Sequence, residues 1–292
     1  MPDLIPQPIV EWLQHQSLTL GTITPLSGGC VADIAKLSLQ TSKGAVLELV
    51  LKQMPEGSSE QGAAEAGGLE SLRLSGPEAL CTPKVILQEG LCLLLEYLTP
   101  VEPSTDFDEH LGRGLAFQHH CKNDRFGFAY DTFCGNTRQL NHWHENGFDF
   151  YARQRYQALG QQCLAQGLIT TALFEQLLTL SESLYRWLPE QPAVLLHGDL
   201  WSGNIMTGSQ GEPALIDPSV YYGWAEAELA MTQMFGGFSQ RLYQAYQYYS
   251  DVQPDWRSRS ELYNLYHYLN HLLLFGGAYH RDVERIVKYY SG

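Results

Sequence analysis

Apolar and polar positions change rhythm once along the chain, near residue 99. Before that point short alternating runs dominate. Leu37 and Leu39 alternate with Ser38 and Gln40, Ser42-Lys43-Gly44 supplies a turn, and residues 46–52 return as a strand. Residues 85–87, the turn Gln88-Glu89-Gly90 and residues 91–98 form a second hairpin. Between the hairpins a polar connection, 57–62, leads into a helical pattern over 63–74 that carries Leu69, Leu72 and Leu74. Upstream, 8–18 predicts a short helix with Ile9, Trp12 and Leu13 on one face, and 22–26 runs into turn-prone Ser27-Gly28-Gly29.

Helical spacing takes over afterwards, in 106–121, 148–166, 170–188, 225–250 and 259–290. One stretch, 193–221, interrupts it with two short apolar runs, Val194-Leu195-Leu196 and Ala214-Leu215-Ile216. Gly208, Gly211 and Pro213 lie between them. The pattern predicts an α+β chain in two lobes with a cleft between. Residues 1–98 form a small antiparallel-sheet lobe with one helix, and 99–292 a larger, mainly helical lobe.

Composition narrows the setting. A formal net charge of -14 repels nucleic-acid phosphates, so no DNA or RNA partner is expected. The six cysteines are scattered without a C-x-x-C pair, against both a disulfide framework and a zinc ribbon. No apolar run approaches the roughly 20 residues that span a bilayer. The first ten residues lack a basic segment and contain three prolines, unlike a signal peptide. A cytoplasmic, thiol-reducing location without membrane attachment is the expectation.

The strongest chemical signal is His197-Gly198-Asp199-Leu200-Trp201-Ser202-Gly203-Asn204, followed 13 residues after the asparagine by Asp217 in Ile216-Asp217-Pro218. This spacing matches the catalytic loop and metal aspartate of the protein-kinase-like fold. A hydroxyl attacking the terminal phosphate of ATP must be oriented and lose its proton, which a carboxylate at Asp199 would accept. Magnesium prefers hard oxygen ligands and keeps several waters, so one amide oxygen and one carboxylate suffice, Asn204 and Asp217. Polar hairpin loops carry the same residue types by chance, but not with a second aspartate so spaced at the end of an apolar run.

Weaker signals fall in the order that such a fold requires. Lys52 closes an apolar strand, where its ammonium would reach the α and β phosphates, and Glu65 on the next helix would hold it by an ion pair. Gly28 and Gly29 sit between two strands, where backbone N–H groups approach phosphates, although the full G-x-G-x-x-G is absent. Glu96-Tyr97-Leu98 falls at the connection between lobes, where the backbone at Glu96 and Leu98 would meet adenine.

The loop from His197 to Asn204 is similar to that of the fructosamine kinases and their aminoglycoside phosphotransferase relatives. Asp217-Pro218-Ser219-Val220-Tyr221-Tyr222-Gly223, Ala230-Met231-Thr232 and Phe235-Gly236-Gly237-Phe238 resemble the fructosamine kinases specifically. So do Arg125-Phe126-Gly127-Phe128, Asp131-Thr132-Phe133 and Gly135-Asn136. The resemblance runs from about Gly28 to the C-terminal helix. It implies transfer from magnesium-ATP to the C3 hydroxyl of a ketosamine, free or carried on a protein, giving an unstable product that releases the amine. Asp199 is then the base, Asn204 and Asp217 the metal ligands, and Lys52 and Glu65 the phosphate-binding pair. Two positions depart from the family pattern. Glu228 stands where an aspartate would buttress the catalytic loop, and Trp224-Ala225 replaces a His-Arg pair.

Two other acceptor outcomes fit the same residue set: another small hydroxyl compound (an aminoglycoside, choline or a sugar), or none, as in a nucleotide-binding pseudokinase. Cys30, beside the glycine-rich turn, carries a separate expectation: backbone N–H groups would stabilise its thiolate, and a redox-linked bridge between two chains there would block ATP. His119-His120-Cys121 and His142-Trp143-His144 lack zinc spacing and are assigned to packing or surface. Tyr243, Tyr246, Tyr248 and Tyr249 are assigned to lobe packing by their helical spacing.

Overall fold

The computed structural model describes residues 5–27, 32–76 and 80–291. Its N-terminal part is a five-stranded sheet built from β1 (Leu18–Pro25), β2 (Asp33–Thr41), β3 (Val46–Gln53), β4 (Val85–Glu89) and β5 (Cys92–Glu96). The order is β1-β2-β3-β5-β4, with every neighbour antiparallel. Period-two alternation divides its side chains between two faces. Leu37, Leu39, Leu49, Leu51, Cys92 and Leu94 pack on one side with Ile9 and Leu13 of helix α1 (Gln7–His15). Leu93 and Leu95 face the other side, against Ala66 and Leu69 of α2 (Ser59–Arg73). Lys52 pairs across the ladder with Leu93, so the same alternation turns it toward α2 and away from the leucine layer.

The rest of the chain is mainly helical. It contains α3 (Phe107–Gln118), α4 (Gly147–Phe150), α5 (Ala158–Ala165), α6 (Thr171–Glu182), α7 (Ala225–Met234), α8 (Gln240–Tyr249), α9 (Ser260–Phe275) and α10 (His280–Tyr290). A wide, π-helical stretch, Tyr151–Gln157, joins α4 to α5. Thr170 caps α6, its side chain accepting the Leu173 N–H at 3.2 Å.

Two long patterns that predict single helices are each broken in two. Residues 225–250 separate into α7 and α8 around Gly236 and Gly237, at φ of +70° and +96°. Residues 259–290 separate into α9 and α10 at Gly276, at φ of +75°. Apolar periodicity continues through both breaks because both halves face one core. Left-handed glycines end the helices there without the strain a Cβ would bring.

Short strands frame the site. β6 (Lys122–Asn123), β9 (Ala193–Leu196) and β12 (Tyr221–Gly223) form a small sheet in the order β12-β9-β6. β7 (Thr132–Cys134) pairs with β8 (Thr137–Gln139), and β10 (Ile205–Thr207) with β11 (Pro213–Leu215). The two apolar runs of 193–221 therefore do not pair with each other. The Leu215 N–H donates to the carbonyl of Cys81 at 2.8 Å, and Arg138 of β8 pairs with Glu60 at the start of α2, so the sheet and the helical part are tied at two places. Among the described residues, no helix is long and apolar enough to cross a membrane.

Candidate active site

β9 ends at Leu196, and the chain turns sharply through His197-Gly198 before presenting Asp199. Gly198 has a φ of +85°, and a Cβ there would lie 2.1 Å from the carbonyl oxygen of Ser219, so only glycine makes this turn. The loop is braced from below by Glu228 of α7. Its Oε1 accepts the Gly198 N–H at 2.8 Å and its Oε2 the His197 N–H at 3.0 Å. The longer side chain at this departure from the family pattern thus reaches the loop. His119, at the end of α3, donates Nε2–H to Glu228 Oε2 at 3.0 Å, and its Nδ1 lies 2.8 Å from the Tyr246 hydroxyl. Burial alone would raise the Glu228 pKa, but these donors outweigh it and hold the carboxyl below its usual range.

His197 is fully buried and joins two loops. Its Nε2 donates to the Ile216 carbonyl at 2.8 Å, its Nδ1 accepts the Asp199 N–H at 3.3 Å, and its carbonyl accepts the Ser219 N–H at 2.8 Å. Burial pushes its pKa down, which suits a neutral ring with one donor and one acceptor. Side chain and backbone of one histidine thus fix the segment around Asp217 relative to Asp199. Asp217 itself has a φ of +54°, a strained conformation for an aspartate that re-aims its carboxylate.

On the facing side Lys52 is buried between two carboxylates. Its Nζ donates to Glu65 Oε1 at 2.6 Å and also to Asp217 Oδ1. Burial would lower the lysine pKa, but the two carboxylates raise it well above the ordinary value, so the ammonium stays charged. Glu96, at the end of β5, accepts the Lys84 N–H at 3.2 Å, and Leu98 is buried where the sheet gives way to the helical part. Gly28, Gly29 and Cys30 lie outside the described residues.

Asp199 sits at the junction of these groups. Burial, and then the nearby Asp217 carboxylate, push its pKa up to about 7. Asn204 donates Nδ2–H to the Asp199 backbone oxygen at 2.8 Å, which leaves its Oδ1 as a hard oxygen, and its own carbonyl accepts the N–H of Ile216, the residue before Asp217, at 3.1 Å. An amide oxygen and a carboxylate are the donor types a divalent metal with ATP takes, so the residues present fit such an ion.

Several neighbours carried little signal in the sequence. Cys134 and His267 come within 4.8 Å of Asp199 and of each other, measured between ligand-type atoms. His267 belongs to a polar stripe inside the apolar helix α9, Asn264, His267 and Asn270, whose i, i+3, i+6 spacing marks one buried face. His119 was assigned to packing. It is buried, but it packs by positioning the carboxylate that braces the loop. Of the four tyrosines assigned to packing, Tyr243 and Tyr246 are buried, whereas Tyr248 is 82% exposed and Tyr249 40%. Trp224 is core, stacked on Tyr151 at 4.6 Å, and so does not face an acceptor.

The fructosamine kinase family model matches residues 6–291. A probable ketoamine kinase of Synechocystis is 37% identical over 232 residues, covering 77% of each chain. A chloroplastic protein-ribulosamine 3-kinase of Oryza sativa is 31% identical across 99% of this chain and 85% of its own. In three dimensions, a candidate fructosamine-3-kinase from Thermobifida fusca superposes with a TM-score of 0.84 at 24% identity, over 96% of this chain and 97% of that one, which shows the shared fold.

Proposed function

The chain belongs to the fructosamine kinase family, and from that premise we propose that it transfers the γ-phosphoryl group of ATP to the C3 hydroxyl of a ketosamine. The supporting observation is the Asp199 carboxyl, held at a pKa of about 7 on a loop braced by Glu228. A general base works best when its pKa lies near the operating pH. Asp199 takes the C3 hydroxyl proton as the oxygen–phosphorus bond forms and the bond to the β,γ-bridging oxygen breaks, releasing ADP. The 3-phosphorylated ketosamine then decomposes and frees its amine, a deglycation.

Lys52 would hold the α and β phosphates, with Glu65 fixing its ammonium, and the backbone at Glu96 and Leu98 would meet adenine. Asn204 and Asp217 would hold magnesium, which would supply charge neutralisation to the phosphates. Lys52 and Asp217 are bonded to each other here, so nucleotide entry exchanges one ion pair for another. We place the division between the nucleotide-binding lobe, 1–98, and the catalytic lobe, 99–292, just past Leu98, and the protein in the cytoplasm. Its acidic surface disfavours nucleic acid and suits an amine-bearing substrate.

The test is magnesium-dependent ATP consumption with fructosyl-lysine and ribulosyl-lysine, beside an aminoglycoside, choline and a no-acceptor control. Turnover confined to the ketosamines is expected. Preference for another hydroxyl compound would overturn the substrate assignment. ATP binding without turnover on any acceptor would overturn the activity.

A further inference from the structure

A thiol, an imidazole and a carboxylate meet at Asp199, and the first two are donors that magnesium does not favour. Cys134 closes β7, His267 projects from α9 and Asp199 stands on the loop after β9. Their ligand-type atoms all lie within 4.8 Å of one another. Cys134 is 2% exposed and His267 5%, while Asp199 is partly exposed and gives the group an opening. His267 Nδ1 is buried with no hydrogen-bond partner. A buried ring nitrogen left unpaired costs free energy unless something takes its lone pair or proton.

We propose that Cys134, His267 and Asp199 form a site for a thiophilic divalent cation, with zinc as the reference ion, and that its occupancy stops the enzyme by claiming the base. Thiolate, imidazole and carboxylate are the three donor types of protein zinc sites, and three protein ligands leave a fourth position for water or a substrate oxygen. Bonds of about 2.0–2.3 Å put tetrahedral donors about 3.5 Å apart, so a small side-chain rotation closes the observed spacing. On binding, the Cys134 S–H bond breaks, the thiolate sulfur donates its electron pair to the cation and the proton leaves to solvent. No oxidation state changes.

Arg155 acts both ways. Burial, and then the Asp199 carboxylate, push the Cys134 thiol well above its ordinary range, and the guanidinium, 4.1 Å from the Tyr221 ring, opposes that only in part while disfavouring a second cation nearby. Two ligand anions against a divalent ion leave the site close to neutral apart from that guanidinium. Magnesium, which takes hard oxygens and keeps its waters, does not compete for a sulfur–nitrogen pair. The two metal preferences therefore separate: oxygen donors at Asn204 and Asp217, softer donors on the acceptor side.

Binding does not depend on the catalytic role of Asp199, but the inhibition does, and it rests on the reading of Asp199 as base. The experiment separates the two. Cobalt(II), a spectroscopic stand-in for zinc, is titrated into the reduced full-length protein without nucleotide. A thiolate-to-cobalt charge-transfer band should grow to one equivalent and be displaced by zinc. Cys134→Ser and Cys134→Ala should each abolish it, His267→Gln should weaken binding by more than about tenfold, a lost direct ligand costing at least what a lost supporting contact does, and Cys30→Ser should retain it. Melting curves and ATP binding identify any variant that has not folded. No band in the wild type, or a band that survives in both folded Cys134 variants, overturns the site. With excess magnesium, zinc should also inhibit ketosamine-dependent turnover competitively against the acceptor and reversibly on chelation. A Cys134-dependent band without inhibition would overturn the claim that the ion takes Asp199, while the reading of Asp199 as base stands or falls separately on the turnover of Asp199→Asn.

Discussion

Two polar clusters, one under Asp199 and one around Lys52, are held in different ways. The frame under Asp199 is one buried carboxylate in fixed hydrogen bonds: Glu228 accepts from the Gly198 and His197 backbones and from His119, whose other ring nitrogen lies against Tyr246. Each donor has one acceptor within the protein, and the whole set is buried. The cluster around Lys52 holds one ammonium between two carboxylates, one of which, Asp217, is about one-third exposed. On the proposed reading its partners exchange for phosphate and metal. The proposed base is then held in place before any ligand arrives, while Lys52, Glu65 and Asp217 satisfy one another until a ligand replaces them. Preorganisation matters most where charge and protons move in the transition state. Exchangeable pairing suffices where the task is to bind.

The largest expected effect lies on the rigid side. Asp199→Asn should lower turnover by at least about a hundredfold while ATP binding persists, the low end of general-base catalysis. Single-turnover kinetics beside calorimetric ATP titration measure both, and normal turnover in this variant would remove the base assignment.

Lys52→Ala should act on the exchangeable side instead. Loss of a charge-assisted contact of about 1.5–3 kcal/mol corresponds to a KM for ATP raised by roughly 10- to 100-fold. An equal fall in kcat with unchanged KM would mean that Lys52 acts in the transition state and that the two clusters are not distinct.

Smaller, and confined to the frame, is Glu228→Gln. An amide faces two backbone donors and His119 with one oxygen where the carboxylate offered two, so about 1–3 kcal/mol of stability should be lost. Denaturant unfolding measures the loss. The KM for ATP should not move, and if it did, the frame and the nucleotide cluster would be coupled.

A further effect is one of pH. The folded Asp199 holds its proton up to about 7, against an ordinary value of 3.8. Between these values the native state binds more protons than the unfolded chain, so this residue's contribution to stability falls as pH rises across the interval. Activity runs the other way, because the base must be deprotonated, and kcat/KM for the acceptor should rise as pH passes through about 7. Asp199→Asn should flatten the stability slope, as urea melts at several pH values would show. A kcat/KM profile breaking near 4 instead would mean that Asp199 is not held as described.

The helical breaks at Gly236-Gly237 and Gly276 show where sequence patterns stop being informative. Both halves of each pattern bury apolar residues, so periodicity runs across the interruption. Only the left-handed backbone at those glycines reports the turn. Cys134 and His267 are a second case. One is a strand-end thiol and the other a single polar residue in an apolar helix, and 132 residues and several elements separate them before folding places both beside Asp199.

Chemistry that depends on short, ordered spacing could be read from the chain alone. The lysine at a strand end, the aspartate and asparagine five residues apart and the later aspartate could be picked out as candidates because local backbone geometry presents them. So were the sheet and most helices, since period two and period 3.6 follow from the backbone itself. The tertiary structure decided what braces those residues and what surrounds them. It selected Glu228 and His119 as the support of the loop, paired Lys52 with Asp217, and gathered a thiol and an imidazole around the base. Such contacts join residues far apart in sequence, and they arise from packing elements into one core rather than from any local propensity of the chain.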